Sequence, residues 1–355
     1  VPGLSHEEAY ALAAGNEASI HAKSSPGGIQ YGLSTGTSDQ RGIFMTAGEE
    51  RARWAGAVIA RCIPRLWSSK RIAFFLRANN QLYQAAGRGR WINLAFFDLK
   101  GSLDAHIQEL NRFKPDLLIA PPYILALLSQ QQEVAAEPET VISVADVLDP
   151  WDEAAIMGRF HTPIRQIYQA TEGFLGASCT HGSLHLNEDL ILFEKRFIHG
   201  SRQRMVPIIS DFHRKTQALV RFELNDVLVL DEEPCGCGSP MTRLSRVEGR
   251  LDEIFFVRQG DSPGPIYRSD LASSLKGFEG VLPDFRFVQH GYEEFSLSVS
   301  PQADAAVWKQ LSMLLQGVLV DRGVDRPRIM HGPHLNIALH EKRRRFVRRF
   351  YPEEL

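Results

Sequence analysis

Ile72-Ala73-Phe74-Phe75-Leu76, Ile92-Asn93-Leu94-Ala95-Phe96-Phe97 and Leu117-Leu118-Ile119-Ala120 are three short apolar runs, and Leu103, Ile107 and Leu110 stand at helical spacing between the last two. A run this short and this apolar reads as a strand covered on both faces. Strands that alternate with helices predict a parallel sheet with crossover helices, so the first half of the chain reads as α/β. Residues 164–168 read as another buried strand. Upstream, a helical lead-in spans residues 7–22. The capping-box spacing of Thr46-Ala47-Gly48-Glu49 opens a second helix carrying Trp54, Val58, Ile59 and Cys62, which Pro64 stops. From His181 onward the texture changes to short strands at 190–193, 205–209 and 218–230, as in a meander or barrel. A third texture starts near Gly249, with alternation at Phe295, Leu297 and Val299 and an amphipathic helix through Val307, Leu311, Leu314, Leu315 and Val318. The expected fold is α/β: a large N-terminal domain of β-sheets layered with helices plus a strand-rich subregion (1–250), joined by a hinge to a small mobile α+β domain (251–355).

At 355 residues there is room for two domains and a substantial core. The 40 Lys plus Arg against 42 Asp plus Glu give a formal charge of −2, so no global field argues for nucleic acid. Six of the eight residues from Lys342 to Arg349 are cationic, but such a run more often forms a solvated face than a nucleic-acid arm. The longest uncharged run, 117–132, contains Pro121 and Pro122 and ends in glutamines, which excludes a membrane span there. Four cysteines are too few for a disulfide framework, and the N-terminus lacks a basic-then-apolar pattern. Together these readings place the expected protein in the reducing cytoplasm.

Four segments could carry chemistry. Ser34-Thr35-Gly36-Thr37-Ser38 offers four hydroxyls and a glycine, so backbone N–H groups and hydroxyls can converge on phosphate oxygens, although Walker spacing is missing. Tyr168-Gln169-Ala170-Thr171-Glu172-Gly173 follows an apolar strand, where a carboxylate can hold Mg²⁺ and a hydroxyl can meet a phosphoryl oxygen. In Val220-Arg221-Phe222-Glu223-Leu224-Asn225-Asp226 the aspartate can accept both hydroxyls of a ribose. In Gly249-Arg250-Leu251-Asp252-Glu253 the arginine can reach a sugar or phosphate oxygen. Each alone reads as easily as a polar turn. Separately, Cys235-Gly236-Cys237-Gly238 with Cys179, His181 and His185 has the composition of a zinc site, against a plain reading of free thiols and surface histidines.

In order and content these segments resemble the adenylate-forming superfamily of acyl-CoA synthetases, and the whole chain looks like its phenylacetate-CoA ligase branch. The resemblance rests on residues 31–42, 168–173 and 220–260 with the embedded Cys-Gly-Cys-Gly. It implies an acid-thiol ligase that uses ATP and Mg²⁺ to convert a carboxylic acid, by analogy an aromatic one, to an acyl-adenylate. The acyl group would then pass to coenzyme A or to the phosphopantetheine of an acyl-carrier protein. By position it implies Ser34, Thr35, Gly36, Thr37 and Ser38 as the phosphate loop and Glu172 as the Mg²⁺ ligand. Thr171 would touch the α-phosphate, Tyr168 the adenine, Asp226 the ribose and Arg250 the ribose or phosphate. Asp252 would be the hinge and Lys342 the catalytic lysine. It also implies structural Zn²⁺ on Cys179, Cys235, Cys237 and a histidine, with His185 ahead of Leu186-Asn187-Glu188-Asp189 favoured and His181 the alternate. Neither nucleic acid nor membrane is an expected partner, and a homodimer is left open.

Two departures from the resemblance stand out. Asp39 puts an acid beside the expected pyrophosphate site, and His340-Glu341 replace the small residues that normally precede the lysine. They motivate an alternative of another class, a catalytically reduced, zinc-stabilised binding or scaffold homologue. Residues 120–125, Ala-Pro-Pro-Tyr-Ile-Leu, suit either the wall of an acyl pocket or a buried helix start, and Cys62 reads as a core filler.

Overall fold

The computed structural model describes residues 4–18, 28–33, 42–63, 68–76, 92–198, 200–259, 262–278, 282–300 and 303–352. Helix α1 (His6–Ala18) leads to a hairpin of β1 (Gln30–Leu33) and β2 (Ile43–Thr46), and α2 (Gly48–Cys62) follows. The cap of α2 lies one residue later than its sequence spacing predicts. Thr46 completes β2, so Glu50 rather than Glu49 accepts the N–H of Ala47, at 2.7 Å.

The alternating section is β3 (Lys70–Leu76), β4 (Ile92–Asp98), α3 (Leu103–Phe113), β5 (Leu117–Ala120), α4 (Pro122–Ser129), β6 (Thr140–Val144), α5 (Pro150–Phe160) and β7 (Ile164–Ala170). These strands pair in parallel in the order β4-β3-β5-β6-β7. Strand periodicity of two sends Ile72, Phe74, Leu117 and Ile142 toward Trp54 and Val58 of α2. Ala73, Phe75, Leu118 and Val141 go to the other side, against Ile107 and Leu110 of α3 and Ile124 of α4. Each fully buried Phe or Leu contributes roughly 1.5–3 kcal/mol, so this double-sided layer supplies much of the core.

From β7 the sheet continues by antiparallel pairing through β8 (Gly173–Ser178), β9 (Leu184–Leu186), β10 (Leu192–Phe197), β11 (Arg204–Asp211), β12 (Leu219–Glu223), β13 (Asp226–Leu230) and β14 (Arg243–Arg250). The order beyond β7 is β8-β9-β14-β13-β11-β10, with β12 also on β11. The strand-rich region is therefore no separate meander or barrel. Pairing of β8 with β7 leaves its other edge open, β9 fills that edge, and one twelve-stranded sheet results.

After Arg250 a 3₁₀ turn, Leu251–Glu253, leads out of this sheet into the C-terminal body. Its elements are the hairpin β15 (Phe255–Gln259) and β16 (Ser262–Ile266), α6 (Arg268–Ser274), β17 (Phe285–Gln289), β18 (Glu294–Val299), α7 (Ala305–Asp321), β19 (Arg328–His331) and β20 (Phe346–Arg348). A four-stranded sheet, β19-β18-β17-β20, packs Phe285, Phe287, Phe295 and Phe346 against Leu311, Leu315 and Leu319, which recur every four residues along α7. Among the described residues, no helix is long and apolar enough to cross a membrane.

Candidate active site

Parallel strands end together, and the loops after them share one rim. After β6 the chain turns through Ala145, whose φ of 68° lies in the left-handed region, into Asp146. After β7 it turns back at Thr171-Glu172, where the Thr171 hydroxyl donates to Glu172 Oε2 at 2.8 Å. Arg214, between β11 and β12, fixes this turn by donating to the carbonyl oxygens of Thr171 (3.0 Å) and Glu172 (2.8 Å) and to that of Met45 (3.3 Å). Burial lowers the Arg214 pKa, while Glu50, Asp211 and Glu172 act in the opposite sense. Nothing in the sequence singles out Arg214, because apart from Gln217 Oε1 (3.1 Å) its hydrogen-bond acceptors are backbone carbonyls that any residue supplies.

Two cavities meet at this rim. One, of about 500 Å³, is walled by apolar side chains including Trp54, Val58, Phe74, Val144 and Phe174, with Pro121 and Tyr123 at the start of α4. Residues 120–125 thus both line the cavity and start a buried helix. The other, of about 400 Å³, is the more polar of the two and holds Tyr168, Asp226, Arg250 and Phe222. Asp146, Thr171, Glu172 and Lys342 border both. Within the polar cavity the Tyr168 hydroxyl donates to Asp226 Oδ2 at 2.7 Å, and Arg250 Nε lies 4.0 Å from Asp226 Oδ1. Burial, then the charge of Asp226, pushes the Tyr168 phenol well above its ordinary value. Burial also raises Asp226, despite the Tyr168 hydrogen bond and the positive charge of Arg250.

The structure thus brings Tyr168, Thr171, Glu172, Asp226, Arg250 and Lys342 to one place. Ser34, Thr35, Gly36, Thr37 and Ser38, with Asp39, lie outside the described residues. His213 also borders the apolar cavity. Asp252 sits beside the site, accepting from Asn225 at 3.1 Å and facing Arg344 at 3.5 Å. Four of the run's six cations are held internally: Arg343 pairs with Asp284, Arg344 with Asp252, Arg345 with Asp149 and Asp152, and Arg348 donates to the Ile254 carbonyl.

No family model matches the sequence, and no curated protein matches it either. Solved structures do match in three dimensions. Over 97% of this chain and 79% of its own, 2-hydroxyisobutyryl-CoA ligase in the postadenylation state with R3-HIB-AMP superposes at a TM-score of 0.68 and 17% identity. The amide bond synthetase McbA from Marinactinospora thermotolerans gives 0.62 at 14% identity, over 90% of this chain and 69% of its own. The chain shares the fold of these two enzymes. A third match, the same 2-hydroxyisobutyryl-CoA ligase with 2-HIB-AMP and CoA in the thioesterification state, gives 0.51 at 20% identity, over 90% and 73% of the two chains.

Away from the rim, the fold brings Cys179, His185, Cys235 and Cys237 together, their ligand atoms all within 4.8 Å of one another. Cys179 Sγ is 3.7 Å from Cys235 Sγ, and Cys237 Sγ is 3.6 Å from His185 Nε2. With zinc–sulfur bonds of about 2.3 Å a tetrahedral edge is about 3.8 Å, so the donor set fits zinc. His185 Nδ1 lies 3.1 Å from the Met241 carbonyl, an arrangement that leaves Nε2 as the ligand atom. His181 stands outside the group, over Gly236, with Nδ1 3.4 Å from the Thr180 hydroxyl. Gly176 admits this geometry: a Cβ there would come within 2.7 Å of the His185 carbonyl oxygen and push β9 away. Cys62 is buried on α2, and burial pushes its thiol up to about 11, which suits a core filler.

Proposed function

We propose that the chain uses ATP to activate a carboxylic acid as an acyl-adenylate and then passes the acyl group to a thiol. The observation that carries this reading is the meeting of an apolar and a polar chamber at Asp146, Thr171, Glu172 and Lys342. A nucleotide in the polar chamber would set its ribose on Asp226 and Arg250 and its base along Tyr168. An acid in the apolar chamber would present its carboxylate at the same junction. The acid's oxygen attacks the α-phosphorus while the bond to the pyrophosphate oxygen breaks. The thiol sulfur then attacks the acyl carbonyl, and AMP leaves.

Two anions must approach, so the junction has to supply positive charge. Lys342 offers an ammonium there. Glu172 and the Thr171 hydroxyl form a hard oxygen set suited to Mg²⁺, which supplies Lewis-acid neutralisation of the phosphate oxygens when bound. Preorganised charge of this kind is the largest catalytic contribution expected in a phosphoryl displacement. Trp54, Phe74 and Phe174 favour an aromatic acid, and coenzyme A or a carrier-protein phosphopantetheine would be the acceptor. The Cys179–His185–Cys235–Cys237 group would hold a structural zinc that pins β14 and the loop before it to β8 and β9. Unpaired thiols on all four cysteines suit the cytoplasm.

The test is acid-dependent exchange of labelled pyrophosphate into ATP across aliphatic and aromatic acids. Activity with an aromatic acid is expected, and Glu172→Gln should lower it by about 10²–10³-fold with an unchanged circular dichroism spectrum. Silence of the wild type across the whole panel would overturn the reading in favour of a binding homologue.

A further inference from the structure

Behind the polar chamber lies a buried ion cluster that joins the two bodies. Asp149 and Asp152 stand at the start of α5 in the large sheet's layer, while Arg268 starts α6 and Arg345 precedes β20 in the C-terminal body. Arg268 donates to both oxygens of Asp149, at 2.9 and 2.8 Å. Arg345 donates to Asp149 Oδ2 and Asp152 Oδ2, each at 2.7 Å. All four residues are at least 90% buried. Asp149 sits at the positive end of α5, which favours its charge further.

The cluster is built into the segment that carries Lys342. Arg345 lies three residues on from it. Arg343, between them, pairs with Asp284 at 3.0 Å and stacks its guanidinium 4.5 Å over the Tyr123 ring. The Tyr123 hydroxyl donates to the Leu339 carbonyl at 3.0 Å, so α4 grips the same segment from the other side. Lys342 itself forms no side-chain hydrogen bond or ion pair among the described residues, and it faces the chamber junction. Its place therefore depends on its neighbours' anchors.

We propose that Arg345 is a positioning residue: through Asp149 and Asp152 it latches the C-terminal body in the orientation that sets Lys342 at the junction, favouring adenylate formation over thiol transfer. The favoured half-reaction rests on the function proposed above; the docking does not. In support, this chain fits 2-hydroxyisobutyryl-CoA ligase in the postadenylation state better than the same enzyme in the thioesterification state, with TM-scores of 0.68 and 0.51. Any reorientation has to open a cluster of buried charges, which is costly unless all of them reach water or new partners.

The experiment compares wild type, Arg345→Gln, the charge-neutral double variant Asp152→Asn/Arg345→Gln, and Tyr123→Phe, which removes a single tether. Amide hydrogen exchange of residues 338–349 reads the docking. Pyrophosphate–ATP exchange and thioester formation from a supplied acyl-adenylate read the two half-reactions. Faster amide exchange is expected in all three variants, least in Tyr123→Phe. The first half-reaction should fall by up to about a hundredfold in Arg345→Gln, as for a displaced catalytic group, while transfer from the adenylate is kept or raised. Wild-type protection of 338–349 in the double variant, or an equal fall of both half-reactions, would overturn the latch. If wild type itself lacks pyrophosphate exchange, the proposed function fails, and the amide-exchange result still decides whether these charges hold the bodies together.

Discussion

The sulfur–imidazole group at Cys179 and the carboxylate–guanidinium group at Asp149 both cross-link distant chain, over 56 residues in one case and over 119 and 196 in the other. The first is a set of electron-pair donors aimed at a common point. Its Cys235 thiol is lowered to about 5 by hydrogen bonds from Ser183 and the Cys237 N–H and by His185, so negative charge gathers there. Cys237 is raised, because burial and the neighbouring Cys235 and Cys179 sulfurs outweigh the bond from the Ser239 N–H. The second is a set of ions already matched to one another. Such a contrast teaches what each would need from outside: the proposed cation for the donors, and only the exclusion of water for the ion pairs.

Removal of the proposed zinc is the largest expected effect and the sharpest way to separate the two. Protein exchanged into metal-free buffer should retain about one zinc per chain, and Cys235→Ser/Cys237→Ser should lose it. Chelation should lower the unfolding temperature of the wild type and leave the double variant unmoved. Elemental analysis showing equal metal in both proteins would end the comparison, since the donors would then be ordinary thiols.

A smaller effect is expected at the ion cluster, where chelator should do nothing. Asp149→Asn leaves Arg268 and Arg345 short of a buried partner and should cost about 3–5 kcal/mol in urea unfolding. Replacing Asp149, Asp152, Arg268 and Arg345 together by apolar residues of similar volume should recover most of that loss. If the single variant were as stable as wild type, the cluster would not be the water-excluded cross-link its geometry describes.

How much of this could be read beforehand differs along the same line. Ile72 to Leu76 and Leu117 to Ala120 announce a two-sided sheet because burial on both faces demands apolar residues at every position. The polar segments around Glu172, Asp226 and Arg250 are recognisable in order, although only the fold shows that Tyr168 donates to Asp226. The Cys-Gly-Cys pair points to its own chemistry, yet the choice between His181 and His185 depends on β9 pairing with β8 and β14. Asp149, Arg268 and Arg345 carry no such mark. Asp149 followed by Pro150 reads as a helix start, and Arg345 as one cation in a solvated run, because charge pairing over 196 residues leaves no local pattern. The extension of the sheet through β8 and β9 is equally silent, since an open edge is a property of the assembled sheet.

The smallest predicted effect concerns pH, and its sign follows from Asp149. Burial alone would raise its pKa, but the charges and hydrogen bonds of Arg268 and Arg345 outweigh that and hold it below its ordinary 3.8. A carboxyl depressed in the folded state stabilises the fold at pH values above the unfolded pKa, and that share is lost as pH falls through the folded value. Asp152 and Glu253 are shifted the other way, by burial before any charge, so protonating them on acidification opposes the loss. The stability difference between wild type and Asp149→Asn should therefore be flat from pH 7 to about 5 and narrow only below about 4. Urea midpoints of both proteins across this range measure it. A gap that closes already near pH 6 would mean that Asp149 takes up a proton far above its ordinary range, and the guanidiniums would then not be holding its charge.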